Sequence, residues 1–160
     1  MEIKTADLCD SFPDTVRVAL ASDFKNYGGK NSFTGKIHTI KCFEDNSFVR
    51  KALEQNGEGK VLVVDGGGSN RCALLGDMLA ELAVKNKWNG IIIYGLIRDS
   101  AAIAKLDVGV KALGTIPLKS NKRNEGQENI TVNFASVSFT PNEFLYADED
   151  GIIVSNTPLQ

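Results

Sequence analysis

The chain has 160 residues, with 18 Lys and Arg against 20 Asp and Glu and a formal net charge of -2. That length suits one well-buried core and is short for two, so a single domain over residues 1–160 is expected. The nearly balanced, slightly acidic charge gives no footprint for a phosphate backbone, so direct nucleic-acid binding is not expected, while a protein partner stays open.

Cys9, Cys42 and Cys72 are odd in number, widely spaced and outside any CxxC pattern. They argue against a disulfide framework or a thiolate zinc site and for reduced, partly buried thiols. The start, MEIKTADLCDSF, has no basic region followed by an apolar core, and no apolar run reaches membrane-spanning length. A cytoplasmic protein without a membrane anchor is the expectation.

In chain order, Thr5 is placed to cap a short helix carrying Leu8, and Pro13 separates it from the apolar stretch Val16 to Leu20. Tyr27 to Asn31 and Thr34-Gly35 are turn-like, after which Lys36 to Phe43 alternates as a strand, with Ile37, Thr39 and the Cys42 region inward. His38 is the only histidine, which excludes most histidine-rich zinc sites and predicts a structural or exposed role. Asp45 and Asn46 begin a helix through Gln55 whose apolar side is Phe48, Val49, Ala52 and Leu53, and Asn56-Gly57 and Gly59 end it.

Lys60 to Val64 is almost wholly apolar, as for a strand covered on both faces. A glycine cluster follows, then a short apolar turn, then a helix from Asp77 to about Asn86. That helix is expected to be capped by Asp77 and to bury Met78, Leu79, Leu82 and Ala83. Trp88-Asn89-Gly90 turns into the apolar strand Ile91 to Tyr94, so strand, helix and strand form a parallel pair with a right-handed crossover.

Ser100 to Leu106 reads as a brief helix and Val108 to Leu113 as a strand. Lys119 to Gln127 is a polar loop, either simply solvated or an anion site through its basic residues. Val132 and Phe134 alternate, as do Val137 and Phe139, with a bulge or turn between them. Phe144 to Ala147 and Gly151 to Val154 are two further strands joined across Asp148-Glu149-Asp150. So many strands in the second half point to an α/β fold with mixed sheets in β/β/α layers rather than to a doubly wound dinucleotide domain.

Three stretches can carry chemistry. Asp65-Gly66-Gly67-Gly68-Ser69-Asn70 matches neither GxGxxG nor a phosphate loop, but its glycines allow close backbone approach at a binding site. Gly76-Asp77-Met78-Leu79 opens a helix, where free backbone donors favour a small carboxylate if Asp77 turns away; an ordinary Asp cap would read the same. Arg98-Asp99 follows a buried strand, so that an arginine able to grip a carboxylate stands beside an oxygen ligand for a hard cation; a plain surface pair would look similar.

The stretches NYGGKNSFTGKIHTIKCFEDN, VLVVDGGGSNRCALLGDMLAELA, GIIIYGLIRD and YADEDGIIV resemble the RraA family over essentially the whole chain. That family includes regulators of ribonuclease E activity and class II 4-hydroxy-4-methyl-2-oxoglutarate aldolases. Its sharpest feature is an aspartate separated by twenty residues from an Arg-Asp pair, here Asp77 and Arg98-Asp99.

The resemblance implies a compact swivelling β/β/α domain, ring-like homotrimers with sites near subunit boundaries, and Mg2+ or Mn2+ as cofactor. It implies that Asp99 is the direct metal ligand, that Arg98 contacts the oxo-acid, that Asp77 orients or activates water on the metal, and that Gly76 to Leu79 give backbone donors to substrate. The activity implied is cleavage of 4-hydroxy-2-oxo acids or decarboxylation of oxaloacetate to pyruvate. The larger aldolases continue past the position of Gln160 into a segment lending an acidic residue to a neighbouring subunit, a difference bearing on aldol efficiency and substrate choice. The alternative is a non-enzymatic regulator that binds ribonuclease E or an associated helicase; the retained Asp77, Arg98 and Asp99 favour chemistry, and the stretches NYGG and KCFEDN resemble the regulators.

Overall fold

Apolar strands covered on both faces need helices or a second β layer on each side, and this chain supplies one of each. A computed structural model describes residues 2–159. Strands β3 (Phe33–Lys41), β4 (Lys60–Asp65), β6 (Gly90–Ile97) and β7 (Gly109–Thr115) lie side by side in parallel and form the centre of the main sheet. Antiparallel strands flank them. On one side are β11 (Phe144–Asp148), β12 (Gly151–Ser155) and the edge strand β1 (Arg17–Val18); on the other is β2 (Lys25–Asn26).

The period-two alternation sorts side chains to two cores. Ile40, Leu62, Val64, Ile91, Ile93, Val110 and Ala112 meet helices α2 (Ser47–Leu53) and α3 (Asp77–Lys85) through Val49, Ala52, Leu53, Leu79, Ala80 and Ala83. Ile37, Val61, Val63 and Ile92 face the other way and meet Val132, Phe134 and Phe139 of a two-stranded hairpin, β9 (Val132–Phe134) and β10 (Val137–Phe139). Ala135 and Ser136 form its turn, both at positive φ as tight hairpins require. The layers are therefore hairpin, sheet and helices, the mixed-sheet swivelling β/β/α arrangement expected.

The structure corrects several local expectations. Thr34-Gly35 is no turn but part of β3, paired with Tyr146 and Leu145; Gly35 is needed because a Cβ there would stand 2.8 Å from the Gly59 carbonyl oxygen. Ala73–Leu75 is a fully buried short strand, β5, parallel to β6, rather than a turn. The helix after Asp99 stops at Ile103. Met78 is not core: it is 72% exposed, because Leu79, Ala80 and Ala83 hold the inward face of α3 and Met78 points off its first turn.

His38 has the structural role expected: its Nε2 lies 2.6 Å from Glu128 Oε2, and its ring packs against Trp88. All three cysteines are free, Cys42 and Cys72 buried and Cys9 half-buried. Among the described residues no helix is long and apolar enough to cross a membrane.

Candidate active site

The exits of two parallel strands build the site. Pairing of β5 with β6 sets Leu75 beside Ile97, and the Arg98 N–H donates to the Leu75 carbonyl at 2.9 Å. The next residues on each strand, Gly76-Asp77 and Arg98-Asp99, are therefore neighbours. The twenty-residue interval is the length of the crossover through α3 and β6 that returns the chain to this spot.

Gly76, extended at φ -126°, caps α3, and Asp77 is its first helical residue. Asp77 is thus not the side-chain cap anticipated. Its backbone N–H is instead satisfied from outside, by Oδ2 of Asp99 at 3.0 Å. The close approach depends on Gly76, since a Cβ there would fall 2.8 Å from that oxygen and 3.5 Å from Arg98 Nε. Asp99 itself sits in the left-handed region at φ 58°, ψ 37°, a conformation that aspartate tolerates better than most residues and that commonly marks a functional position.

The cleft in front of this pair has a volume of about 170 Å³. Its walls carry Arg50, Arg98, Lys119 and Lys122 against the carboxylates of Asp77 and Asp99, an excess of positive charge suited to an anion. The Met78 and Leu79 N–H groups, in the first turn of α3, have no intrahelical acceptor and add to that field. Arg98 makes only a marginal 3.5 Å contact to the Pro117 carbonyl, which leaves most of its donors available.

Two groups on the wall escaped sequence reasoning. Asn46 and Arg50 stand one turn apart at the start of α2, beside its buried Val49, Ala52 and Leu53; that polar spacing was the available signal. Asn46 Nδ2 donates to the Leu74 carbonyl at 3.2 Å, while its buried Oδ1 has no partner among the described residues. The polar loop after β7 divides the same way: Ser120 is buried, and Lys119 and Lys122 reach the cleft. The glycine cluster does not join them. Gly66 and Gly68 donate to the Tyr94 carbonyl, and Asp65 Oδ1 accepts the Gly67 N–H, so the loop folds back on β6 outside the cleft.

The donor set fits a hard divalent cation that keeps most of its water. Asp99 Oδ1 and the Asp77 carboxylate have no hydrogen-bond partner among the described residues, which also contain no group of three or more His, Cys, Asp or Glu able to form an all-protein cage. Asp99 would be the ligand.

Architecturally this is an α/β protein of the swivelling β/β/α class with its polar cleft at parallel-strand exits, where such sheets place ligands. The chain belongs to the RraA-like family, whose model, Aldolase/RraA, matches residues 5–154. It is 57% identical over 159 residues to a protein of Aromatoleum aromaticum provisionally named 4-hydroxy-4-methyl-2-oxoglutarate aldolase, covering 99% of both chains. A Pseudomonas putida protein with the same provisional name is 57% identical over 98% of this chain and 95% of its own. Among solved structures, one described as the S-adenosylmethionine:2-dimethylmenaquinone methyltransferase of Geobacillus kaustophilus superposes with TM-score 0.96 at 49% identity, covering 98% of this chain and 97% of that one. The RNA-processing inhibitor RraA of Thermus thermophilis superposes with TM-score 0.94 at 42% identity, covering 99% and 95%.

Proposed function

We propose that this chain, acting as a single RraA-like unit in a cytoplasmic homotrimer, is a divalent-metal-dependent lyase. Its substrates are 4-hydroxy-4-methyl-2-oxoglutarate-type acids, oxaloacetate, or both, and its product is pyruvate. Its relatives carry three different names on one fold, so the fold cannot choose among them and the site must. The observation that carries the reading is the junction of Asp77, Arg98 and Asp99 in a small cleft that Arg50, Lys119 and Lys122 also line.

Mg2+ or Mn2+ held by Asp99 would supply Lewis acidity toward the 2-oxo group. The chain's own groups do the rest. Arg98 grips the carboxylate next to the oxo group and stabilises the negative charge that grows as the carbon–carbon bond breaks. The Met78 and Leu79 N–H groups hold the same carboxylate against the start of α3. Lys119 and Lys122 face the distal carboxylate. In retro-aldol cleavage the C4 hydroxyl loses its proton as the C3–C4 bond breaks, and the Asp77 carboxylate, directly or through water, takes that proton. In decarboxylation no such proton is removed, and CO2 leaves from the distal carboxylate. Both routes end in pyruvate enolate, which is then protonated at C3.

A cleft of about 170 Å³ that carries Arg50, Arg98, Lys119 and Lys122 suits such small acids and is small for an adenosyl group. Pyruvate release from the two acids, with Mg2+ or Mn2+ and with chelator, tests the reading; no release above the metal-only background would sink it. The likeness to the Thermus inhibitor favours a second role, binding of ribonuclease E or an associated helicase through the protein surface without direct contact to RNA.

A further inference from the structure

Asp45 is a fully buried carboxylate with no cation against it among the described residues. Its Oδ1 accepts the Ser47 N–H at 2.9 Å and the Ser47 hydroxyl at 2.6 Å; its Oδ2 accepts the N–H groups of Arg123 at 2.8 Å and Glu125 at 3.1 Å. Two donors thus come from the start of α2 and two from the loop after β7. Longer links run in parallel: Asn46 N–H to Ser120 Oγ, Asn121 N–H to the Glu44 carbonyl, and Asn124 N–H to Ser47 Oγ.

The loop needs these bonds. Residues 121–125 are all exposed and polar, so no apolar burial fixes them, and a segment without burial takes its place from hydrogen bonds alone. The two lysines of the loop differ in this respect. Lys119 pairs with Ala73 of β5 in a bridge of its own, whereas Lys122 lies inside the stretch that Asp45 holds.

We infer that Asp45 is a positioning residue for the cleft: by tying residues 120–125 to the first turn of α2, it sets where Lys122 stands in the cleft that Arg98 also lines. The inference rests on the lyase reading for what Lys122 does, but the clamp itself does not depend on it. Burial alone would raise the Asp45 carboxyl; the bonds from Ser47, Arg123 and Glu125 outweigh it and bring the group down to about 2, as for a carboxylate surrounded by donors.

The test is a double-mutant cycle on oxaloacetate decarboxylation with Asp45→Asn, Lys122→Ala and the double variant, oxalate serving as an inhibitor too short to reach Lys122. Asn at 45 keeps one acceptor and turns an NH2 group toward N–H donors. KM for oxaloacetate rises about tenfold in either single variant with kcat little changed, the size of one lost charge-assisted contact. The double variant is no worse than Lys122→Ala, and oxalate inhibition holds within about twofold, because Arg98 and α3 are untouched.

Multiplying KM effects, or oxalate inhibition weakening in step, would overturn the assignment and make Asp45 a general stabiliser. If Asp45→Asn does not assemble, Ser47→Ala, which removes the hydroxyl donor and the acceptor for Asn124, is judged by the same cycle. Hydrogen exchange reads the clamp without turnover: amides of Arg123 and Glu125 exchange faster in Asp45→Asn, and unchanged protection overturns the proposal. A wild-type protein with no turnover counts against the lyase reading alone.

Discussion

The Asp77 backbone N–H donates to Oδ2 of Asp99 at 3.0 Å, so a helix start and a strand exit share one carboxylate. That bond orients Asp99 with its other oxygen free, and it ties the helix that presents Met78 and Leu79 to the strand that presents Arg98. The first two predictions follow from it.

Asp99→Asn keeps a side chain that tolerates φ 58° and removes the charge. Metal-dependent turnover and metal affinity are lost, while urea unfolding stays close to wild type. Asp99→Ala loses the same functions and is less stable by about 1 kcal/mol, the cost of placing alanine in the left-handed region. Equal stability of the two variants would contradict the backbone reading.

Gly76→Ala brings a methyl group to 2.8 Å from Asp99 Oδ2 at a φ that alanine accepts. The carboxylate must swing away, so metal affinity drops with little change in melting temperature. Metal titration beside a thermal melt checks this, and wild-type affinity would show that Asp99 binds in some other orientation.

Arg98→Ala removes the carboxylate grip but not the metal ligand. Oxalate inhibition weakens by about tenfold or more, whereas metal binding stays within about twofold. Unchanged inhibition would reassign the carboxylate to the lysines.

Asp45 carries the acid sensitivity of the helix and loop contact. Its folded value, about 2, is below its ordinary 3.8, so its stabilisation is present above pH 4 and is lost as pH falls toward 2. The full contribution is about 2 kcal/mol on the linkage relation. Asp148, lowered by the Thr5 and turn donors that outweigh its burial, acts in the same direction. Unfolding free energies from pH 7 to 2.5 should show the gap between wild type and Asp45→Asn closing below pH 4; a constant gap would mean that charge plays no part.

Burial pushes the Cys42 thiol up to about 12, with Asp45 and Asp65 adding to it. Alkylation of the native protein at pH 8 should therefore spare Cys42 and mark the half-buried Cys9 first, as read by mass mapping. Early labelling of Cys42 would contradict its packing.

Apolar periodicity was enough to read β4, α3 and β6 and to expect their parallel pairing, because those segments are decided by burial. The Asp77 to Arg98-Asp99 interval was legible too, through the resemblance to the RraA family. Local sequence could not show that Ala73–Leu75 pairs with β6, that Met78 faces outward, or that Asp99 accepts the first N–H of α3. Each is decided by a neighbour distant in the chain. Asn46 and Arg50 were missed for the same reason, whereas the basic residues of the loop Lys119 to Gln127 were readable as an anion site without showing that the loop meets α2.

The most direct test of the account is pyruvate release from oxaloacetate and from 4-hydroxy-4-methyl-2-oxoglutarate by wild type and Asp99→Asn, with Mg2+ or Mn2+ and with chelator. The account predicts metal-dependent release by wild type that chelator abolishes and Asp99→Asn lacks. Release by wild type no faster than the metal alone, or equal release by the variant, would contradict it.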